Sequence, residues 1–231
     1  MTHSDRSAGG AYNARQVFLA RLARLAIRLL PISETRKASL RWGSQRRFHL
    51  VADTHPHAIG RSNWIADEIV GPLGITSLLE IGTNSGRNLQ IMKEKLPELV
   101  LSGIDINRRA IAYARKKDLD IDFRVADANR WSEPLDSWDA LLTMSVLDHI
   151  PDEAIEQLAD NMVATTRRYI IAFELWDGSH GTRGPYKYSR DTRELFESRS
   201  MRTLRWEVSP DQYDTEKSLL WVYVGERGPR S

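Results

Sequence analysis

Apolar residues along the chain recur in two patterns. Short, nearly continuous runs, centred on Leu78–Ile81, Leu99–Ile104, Ile121–Val125, Trp138–Thr143 and Tyr169–Glu174, have the length and residue types of strands. Between them lie stretches with helical spacing, including one beginning near Asn88, one through Ile106–Ile111 and one starting near Asp152. Strand and helix patterns that alternate in this way describe an α/β domain. Beyond the fifth run, Arg190–Ser198 reads as a helix, followed by strands around Met201–Val208 and Ser218–Val224. Nearer the start, Val17, Phe18, Leu22, Leu25 and Leu29 recur at helical spacing while Arg21, Arg24 and Arg28 share another face, and Pro31 stops the pattern. This predicts a basic amphipathic helix.

The first strand ends in Leu78-Leu79-Glu80-Ile81-Gly82-Thr83-Asn84-Ser85-Gly86-Arg87-Asn88. An acid closes the apolar run, and a turn bounded by two glycines leads into a helix. The spacing is neither G-x-G-x-x-G nor G-x-x-x-x-G-K, so phosphate is not the obvious ligand. Glycine lets a ligand approach the backbone closely beside a helix N-terminus, where an adenosine or a carboxylate fits. The second strand ends in Asp105, 23 positions after Gly82, where a carboxylate accepts hydrogen bonds from vicinal ribose hydroxyls and Ile106 flanks a base. The third runs into Asp127 and Ala128, an acceptor for an exocyclic amine and a backbone donor for the ring. Each residue also has a simpler role: Gly82 and Gly86 as turn formers, Asp105 as a helix cap, Asp127 as a turn acid. Three such strand ends in order favour an adenosine-type site.

From about Arg61 to about Glu226 this order resembles the class I S-adenosylmethionine-dependent methyltransferases. Glu80-Ile81-Gly82-Thr83-Asn84-Ser85-Gly86 is similar to the acid-x-G-x-x-x-G motif of that family, with Asp105 as the ribose acid and Asp127 on the adenine side. The segment Met144-Ser145-Val146-Leu147-Asp148-His149-Ile150-Pro151 resembles the stretch after the fourth strand that lines methionine and acceptor. Arg61 is placed like an arginine that some members use for the methionine carboxylate, a surface position being the alternative. The resemblance implies a doubly wound, seven-stranded, mostly parallel sheet with an antiparallel end, a helical cap in residues 1–60, a catalytic domain in 61–231, and S-adenosyl-L-methionine as cofactor. The chain departs from the motif at Thr83 and Asn84; Asn84 replaces a glycine but tolerates a left-handed backbone better than most residues.

Composition narrows the partners. The chain of 231 residues is 41% hydrophobic and 28% charged, enough for one α/β domain with extensions. It has no cysteine, which excludes disulfides, thiolate metal sites and a cysteine nucleophile and fits a cytoplasmic protein. No apolar run approaches the roughly 18 residues of a membrane span, and arginines interrupt any signal-peptide layout. Residues 1–50 hold ten basic side chains against Asp5 and Glu34, a local balance of +8 in a chain whose net charge is +2. The N-terminal helix therefore reads as a lid on the catalytic domain, with peripheral contact to an anionic membrane as the alternative. No nucleic-acid partner is expected, because the basic residues are not interleaved with an aromatic platform. His55-Pro56-His57 lacks a ligand partner at a recognised spacing, so no metal is assigned.

Methyl transfer needs alignment, and a base only where the acceptor holds its proton. His149, neutral near pH 7, is the candidate base, with a structural role beside the next helix as the alternative. Glu174, at the end of the fifth strand, is a candidate for binding the acceptor or for satisfying a loop backbone. The loop Trp176–Tyr188 is glycine-punctuated and rich in functional side chains. Within it His180 is a candidate acceptor contact, and Trp176, Tyr186 and Tyr188 either wall the acceptor or anchor the loop. The acceptor is expected to be a small molecule methylated on O or N.

Overall fold

In a computed structural model, the structure describes residues 22–23, 25–45, 56–184, 186–210 and 219–228. The first part of the amphipathic stretch, through Arg21, together with Arg24 and His55, lies outside these residues. In chain order the main elements are α1 (Glu34–Gly43), α2 (Pro56–Ile65, continued by a π turn Ala66–Val70), β1 (Ser77–Ile81), α3 (Arg87–Lys95), β2 (Val100–Asp105) and α4 (Arg108–Arg115). They continue with β3 (Asp122–Val125), β4 (Trp138–Met144), α5 (Asp152–Thr165), β5 (Thr166–Trp176), a hairpin of β6 (Gly181–Gly184) and β7 (Lys187–Ser189), α6 (Thr192–Glu197), β8 (Met201–Val208) and β9 (Leu219–Arg227).

Seven strands form one sheet in the order β3-β2-β1-β4-β5-β9-β8, and β6 and β7 form a separate pair. β1 lies parallel between β2 and β4, while β9 runs antiparallel to both β5 and β8. This is the predicted doubly wound sheet with an antiparallel end.

Alternation of side chains across a strand sends successive residues to opposite faces. Leu78, Ala140, Leu142, Ile171 and Phe173 pack with Ile65, Leu89 and Ile111 on the face covered by α2, α3 and α4. Leu79, Ile81, Leu141, Ile170 and Ala172 pack on the other face with Leu158, Met162, Phe196 and Tyr223, under α5 and α6. Strands buried on both faces read as continuous apolar runs, which is why the five were visible in sequence. Each fully buried Leu or Ile contributes about 1.5–3 kcal/mol of transfer free energy.

Chain order reverses between β1 and β4, one connection leaving toward β2 and the other arriving from β3. At such a switch point the loops following the strands diverge and leave a crevice at their carboxyl ends. The cap over that crevice is α1, the helix after Pro31. The predicted lid was the preceding stretch, yet its Leu22, Leu25 and Leu29 are 46%, 52% and 76% exposed. α1 serves because it turns Ala38, Ser39 and Trp42 into the crevice and is capped by the Ser33 hydroxyl, which accepts from Arg36 N. Among the described residues no helix is long and apolar enough to cross a membrane.

Candidate active site

The crevice holds a cavity of about 520 Å³, lined by the ends of β1, β2, β3 and β4, by α1 and by α2. At its floor the Glu80 side chain points to the α3 side of the sheet. There it accepts from Thr83 Oγ1 at 2.7 Å and Asn88 Nδ2 at 2.5 Å. Burial pushes the Glu80 carboxyl up to about 7, against the pull of these two donors. Asn88 is held in turn by the Ser62 hydroxyl, which donates to its Oδ1 at 2.5 Å. Glu80 therefore braces the turn between β1 and α3.

In that turn Gly82, Asn84 and Gly86 all have positive φ, at 77°, 53° and 73°. The asparagine that replaces a motif glycine thus occupies the left-handed region, as expected from its side chain. Gly82, Thr83 and Asn84 line the cavity, whereas Gly86 does not. A Cβ on Gly86 would sit 2.5 Å from Phe123 Cζ, so packing against β3 requires this glycine.

Asp105 lines the cavity and accepts from Asn84 N at 2.9 Å and Asn107 N at 2.7 Å. Burial raises its pKa above the ordinary range, and the two backbone donors oppose the shift. It does not cap α4: Asn107 does, its Oδ1 accepting from Arg109 N and Ala110 N. Ile106 lies beside it in the cavity. Asp127 and Ala128 form the opposite wall, with Asp127 also capping a 3-10 turn through Asn129 N at 3.1 Å. Ser39 of the cap donates to Asp127 Oδ2 at 2.6 Å.

At the other end Arg61 is 3% exposed, not a surface side chain, and its Nη1 lies 3.9 Å from Met144 Sδ. Arg87, the first residue of α3, also reaches Met144 Sδ at 3.9 Å and donates to Ser62 Oγ at 3.2 Å. Two guanidiniums thus flank Met144, while Ser145 beside it has φ of 52°. Ser145 N donates to Phe173 O at 2.8 Å, which fixes the loop after β4 to β5.

His149 stands where that loop meets the cap. Its ring centroid is 4.2 Å from that of Trp42, and Nδ1 lies 3.1 Å from Tyr186 O. A carbonyl only accepts, so Nδ1 carries the proton and Nε2 presents a lone pair. Burial lowers the His149 pKa, which keeps the ring neutral at pH 7. Asp148 also lines the cavity, 5% exposed.

Two predicted acceptor contacts fall elsewhere. Glu174 does not line the cavity: alternation along β5 turns it beneath the loop after β4, where Oε2 accepts from Val146 N and Leu147 N, each at 3.0 Å. Burial and the neighbouring Asp148 charge push its pKa up to about 8. His180 is on the surface, with Nε2 3.6 Å from Glu194 Oε2, because the hairpin β6–β7 carries its strand start outward. Trp176 packs on Trp206 and Trp221 at centroid distances of 5.7 and 5.5 Å, and Tyr186 and Tyr188 are buried. These aromatics anchor the loop. Sequence reasoning missed Arg87, Asn88, Trp42, Ser39 and Asp148. Only Arg87 and Asp148 carried a signal, one opening the helix after the glycine turn and the other adjoining His149.

The class follows from the sheet order and from the sequence of β1 to α5: residues 78–168 match the methyltransferase domain family, within the Rossmann-like fold described above. Residues 78–168 thus carry a methyltransferase domain, and the fold is similar to that of solved S-adenosylmethionine-dependent methyltransferases. A S-adenosylmethionine-dependent methyltransferase from Aquifex aeolicus shares 12% identity over 77% of this chain and 96% of its own, with a TM-score of 0.59. Magnesium protoporphyrin IX methyltransferase from Synechocystis PCC 6803, with bound S-adenosylmethionine, shares 13% over 96% of this chain and 100% of its own, at 0.59. The [4+2]-cyclase SpnF shares 14% over 92% of this chain and 94% of its own, at 0.63. Among curated proteins no sequence matches the chain.

Proposed function

We propose that the chain transfers a methyl group from S-adenosylmethionine to an O or N atom of a small-molecule acceptor, with His149 as the base. The carrying observation is polarity along one cavity: a carboxylate, Asp105, stands at one end, and two guanidiniums, Arg61 and Arg87, flank Met144 at the other. That order matches a ligand with ribose hydroxyls at one end and an α-carboxylate at the other. Asp105 would accept from the ribose. Ile106, Asp127 and Ala128 would hold the base, the turn at Gly82, Thr83 and Asn84 would approach by its backbone, and Met144 and Ser145 would meet the methionine end. The bound cofactor supplies an electrophilic methyl group.

His149 lines the cavity with Nδ1 held by Tyr186 O, so Nε2 is the nitrogen that would take a proton from the acceptor. Trp42 covers the imidazole and keeps water from it. Since solved structures of similar fold include a cyclase, the fold by itself does not choose the chemistry, and the match over residues 78–168 is what favours methyl transfer. In this reading residues 1–60 form the cap and 61–231 the catalytic domain, with α2 running across the boundary. The cysteine-free composition is compatible with a cytoplasmic setting.

The test uses methyl-labelled S-adenosylmethionine with a panel of hydroxyl and amine acceptors, products being detected by mass spectrometry. His149→Ala should lower turnover by about 10²–10⁴-fold and leave S-adenosylhomocysteine affinity nearly unchanged. Full turnover in a stable variant would refute the base role. A second reading, an acceptor held in an anionic membrane, is favoured by exposed Leu22, Leu25 and Leu29 in a segment of local charge +8. Salt-sensitive binding to phosphatidylserine vesicles, lost on deleting residues 1–30, would establish it.

A further inference from the structure

One carboxylate in the cavity has no assigned use. Asp148 is 5% exposed and lines the cavity, and its Oδ1 is buried without a hydrogen-bond partner. A buried carboxylate oxygen left unpaired loses its hydration with nothing in return, an arrangement that persists where a ligand completes it. His149 Nε2 lies 3.6 Å from this oxygen. The ring proton is already committed to Tyr186 O from Nδ1, so Nε2 is an acceptor too.

Two acceptors therefore face each other across a gap too long for a direct hydrogen bond, each needing a donor. No donor of the protein stands between them among the described residues. From this juxtaposition we propose that Asp148 Oδ1 and His149 Nε2 together clamp a hydroxyl group of the acceptor, so that the protein is an O-methyltransferase with Asp148 as a substrate-binding residue. The proposal rests on the methyltransferase reading and sharpens it.

The surroundings separate a hydroxyl from an ammonium. Lys187 lines the same cavity, and Arg190 donates to Leu147 O in the loop that carries both residues. An ammonium would bring a further positive charge among these, whereas a neutral O–H meets no such repulsion. Burial raises the pKa of Glu174, to about 8, and of Asp148 as well, and at Asp148 the charges of His149, Lys187 and Arg190 oppose the rise. Lys187 and Arg190 thereby favour Asp148 as a carboxylate. When the hydroxyl gives up its proton, the O–H bond breaks, the electron pair stays on oxygen, and Nε2 gains the proton. The resulting imidazolium is compensated by Asp148 Oδ1 at 3.6 Å.

The experiment uses the full chain saturated with S-adenosylhomocysteine and labelled with ¹⁵N in histidine. Phenol, anisole and benzylamine are titrated in turn, with affinity and the His149 Nε2 resonance as readouts. Phenol should move that resonance and bind about tenfold or more tightly than anisole, which lacks the donor. Asp148→Asn should weaken phenol by about tenfold while calorimetry finds S-adenosylhomocysteine affinity unchanged. Equal affinity for phenol and anisole, no phenol binding at its solubility limit, stronger binding of benzylamine, or an Asp148→Asn protein that binds phenol like the parent would each overturn the proposal. If Asp148→Asn does not fold, the comparison of phenol with anisole in the parent protein still decides. Failure of the parent to bind S-adenosylhomocysteine would instead sink the methyltransferase reading itself, so the two failures are told apart.

Discussion

Replacing Asp105 by asparagine tests the cofactor site without changing side-chain shape. The carboxylate links two turns, Oδ2 accepting from Asn84 N at 2.9 Å and Oδ1 from Asn107 N at 2.7 Å. An amide has one acceptor oxygen, so one of these N–H groups loses its partner; for a buried group that costs about 1–3 kcal/mol, and the lower part of the range applies to this partly buried site. The same change removes a charge-assisted acceptor from the ribose hydroxyls, about 1.5–3 kcal/mol, or roughly 10- to 150-fold in Kd. Urea unfolding should therefore show a loss of about 1–2 kcal/mol. Calorimetry well below the unfolding midpoint should show S-adenosylhomocysteine bound at least about tenfold more weakly. Because burial raises the Asp105 pKa, the parent protein should also lose affinity as pH falls through that raised value, when the acid protonates and stops accepting. Lost stability with unchanged affinity would show that Asp105 only ties the turns together, and preferential binding of NAD would remove the cofactor assignment altogether.

Glu174→Gln concerns stability against pH: with its folded pKa pushed up to about 8, Glu174 binds a proton more tightly folded than unfolded, so its contribution is fully present below the ordinary carboxyl range and is lost as pH rises through about 8. The urea unfolding free energy of the parent should fall between pH 5 and pH 8.5, on the order of a few kcal/mol, and that of the glutamine variant should fall less; parallel curves would refute the assignment. Gly86→Ala combines φ of 73° with a Cβ placed 2.5 Å from Phe123 Cζ and should destabilise by roughly 2–4 kcal/mol in urea unfolding, while the folded fraction keeps its cofactor affinity. Ser39→Ala removes the donor that seats the cap on Asp127 and should speed release of S-adenosylhomocysteine by about 3–10-fold in stopped-flow measurements; an unchanged off-rate would mean that the cap does not hold the site closed.

The alternation of strands and helices, the glycine turn and the acid that ends β2 were legible because each is local. β1, its turn and α3 are contiguous, and Asp105 follows from strand ends that alternate with helices at regular spacing. The antiparallel end was readable too, since β8 and β9 carry strand residues after a helix. What failed depended on direction. Glu174 sits at a strand end like Asp105, yet its parity along β5 turns it under the loop after β4, and sequence position alone does not separate a carboxylate that lines a cavity from one that braces its floor. His180 failed because its loop folds as a hairpin on its own hydrogen bonds and carries the imidazole outward. The amphipathic pattern marked a helix with an apolar face, but among the described residues the helix that lines the crevice is α1, which the spacing did not single out. Trp42 and His149 come together from positions over a hundred residues apart, and no local pattern records that meeting.

Asp127 joins the cap to the cofactor site. Its Oδ1 accepts from Asn129 N at 3.1 Å and Asn129 Nδ2 at 2.9 Å, and its Oδ2 accepts from Ser39 Oγ at 2.6 Å. An ionised carboxylate offers about four acceptor positions, so three donors leave one, on the oxygen that also seats the cap. In the proposed reading an adenine amine takes that position, and ligand and cap then share an atom without displacing one another. The second seat of the cap, Thr35 N on Glu153 Oε1 at 2.7 Å, is on α5, away from the adenine wall, so closure does not depend on the cofactor alone. Binding energy and closure are linked through Asp127, and linkage is reciprocal: whatever factor cap closure adds to cofactor affinity, bound cofactor adds to the population of the closed cap. The same helix α1 that meets Asp127 through Ser39 meets His149 through Trp42, one turn further on. In the proposed reading, cofactor binding beside Ser39 would favour shielding of His149 by Trp42 one turn away, so that an acceptor hydroxyl would meet a dry imidazole once the cofactor is in place.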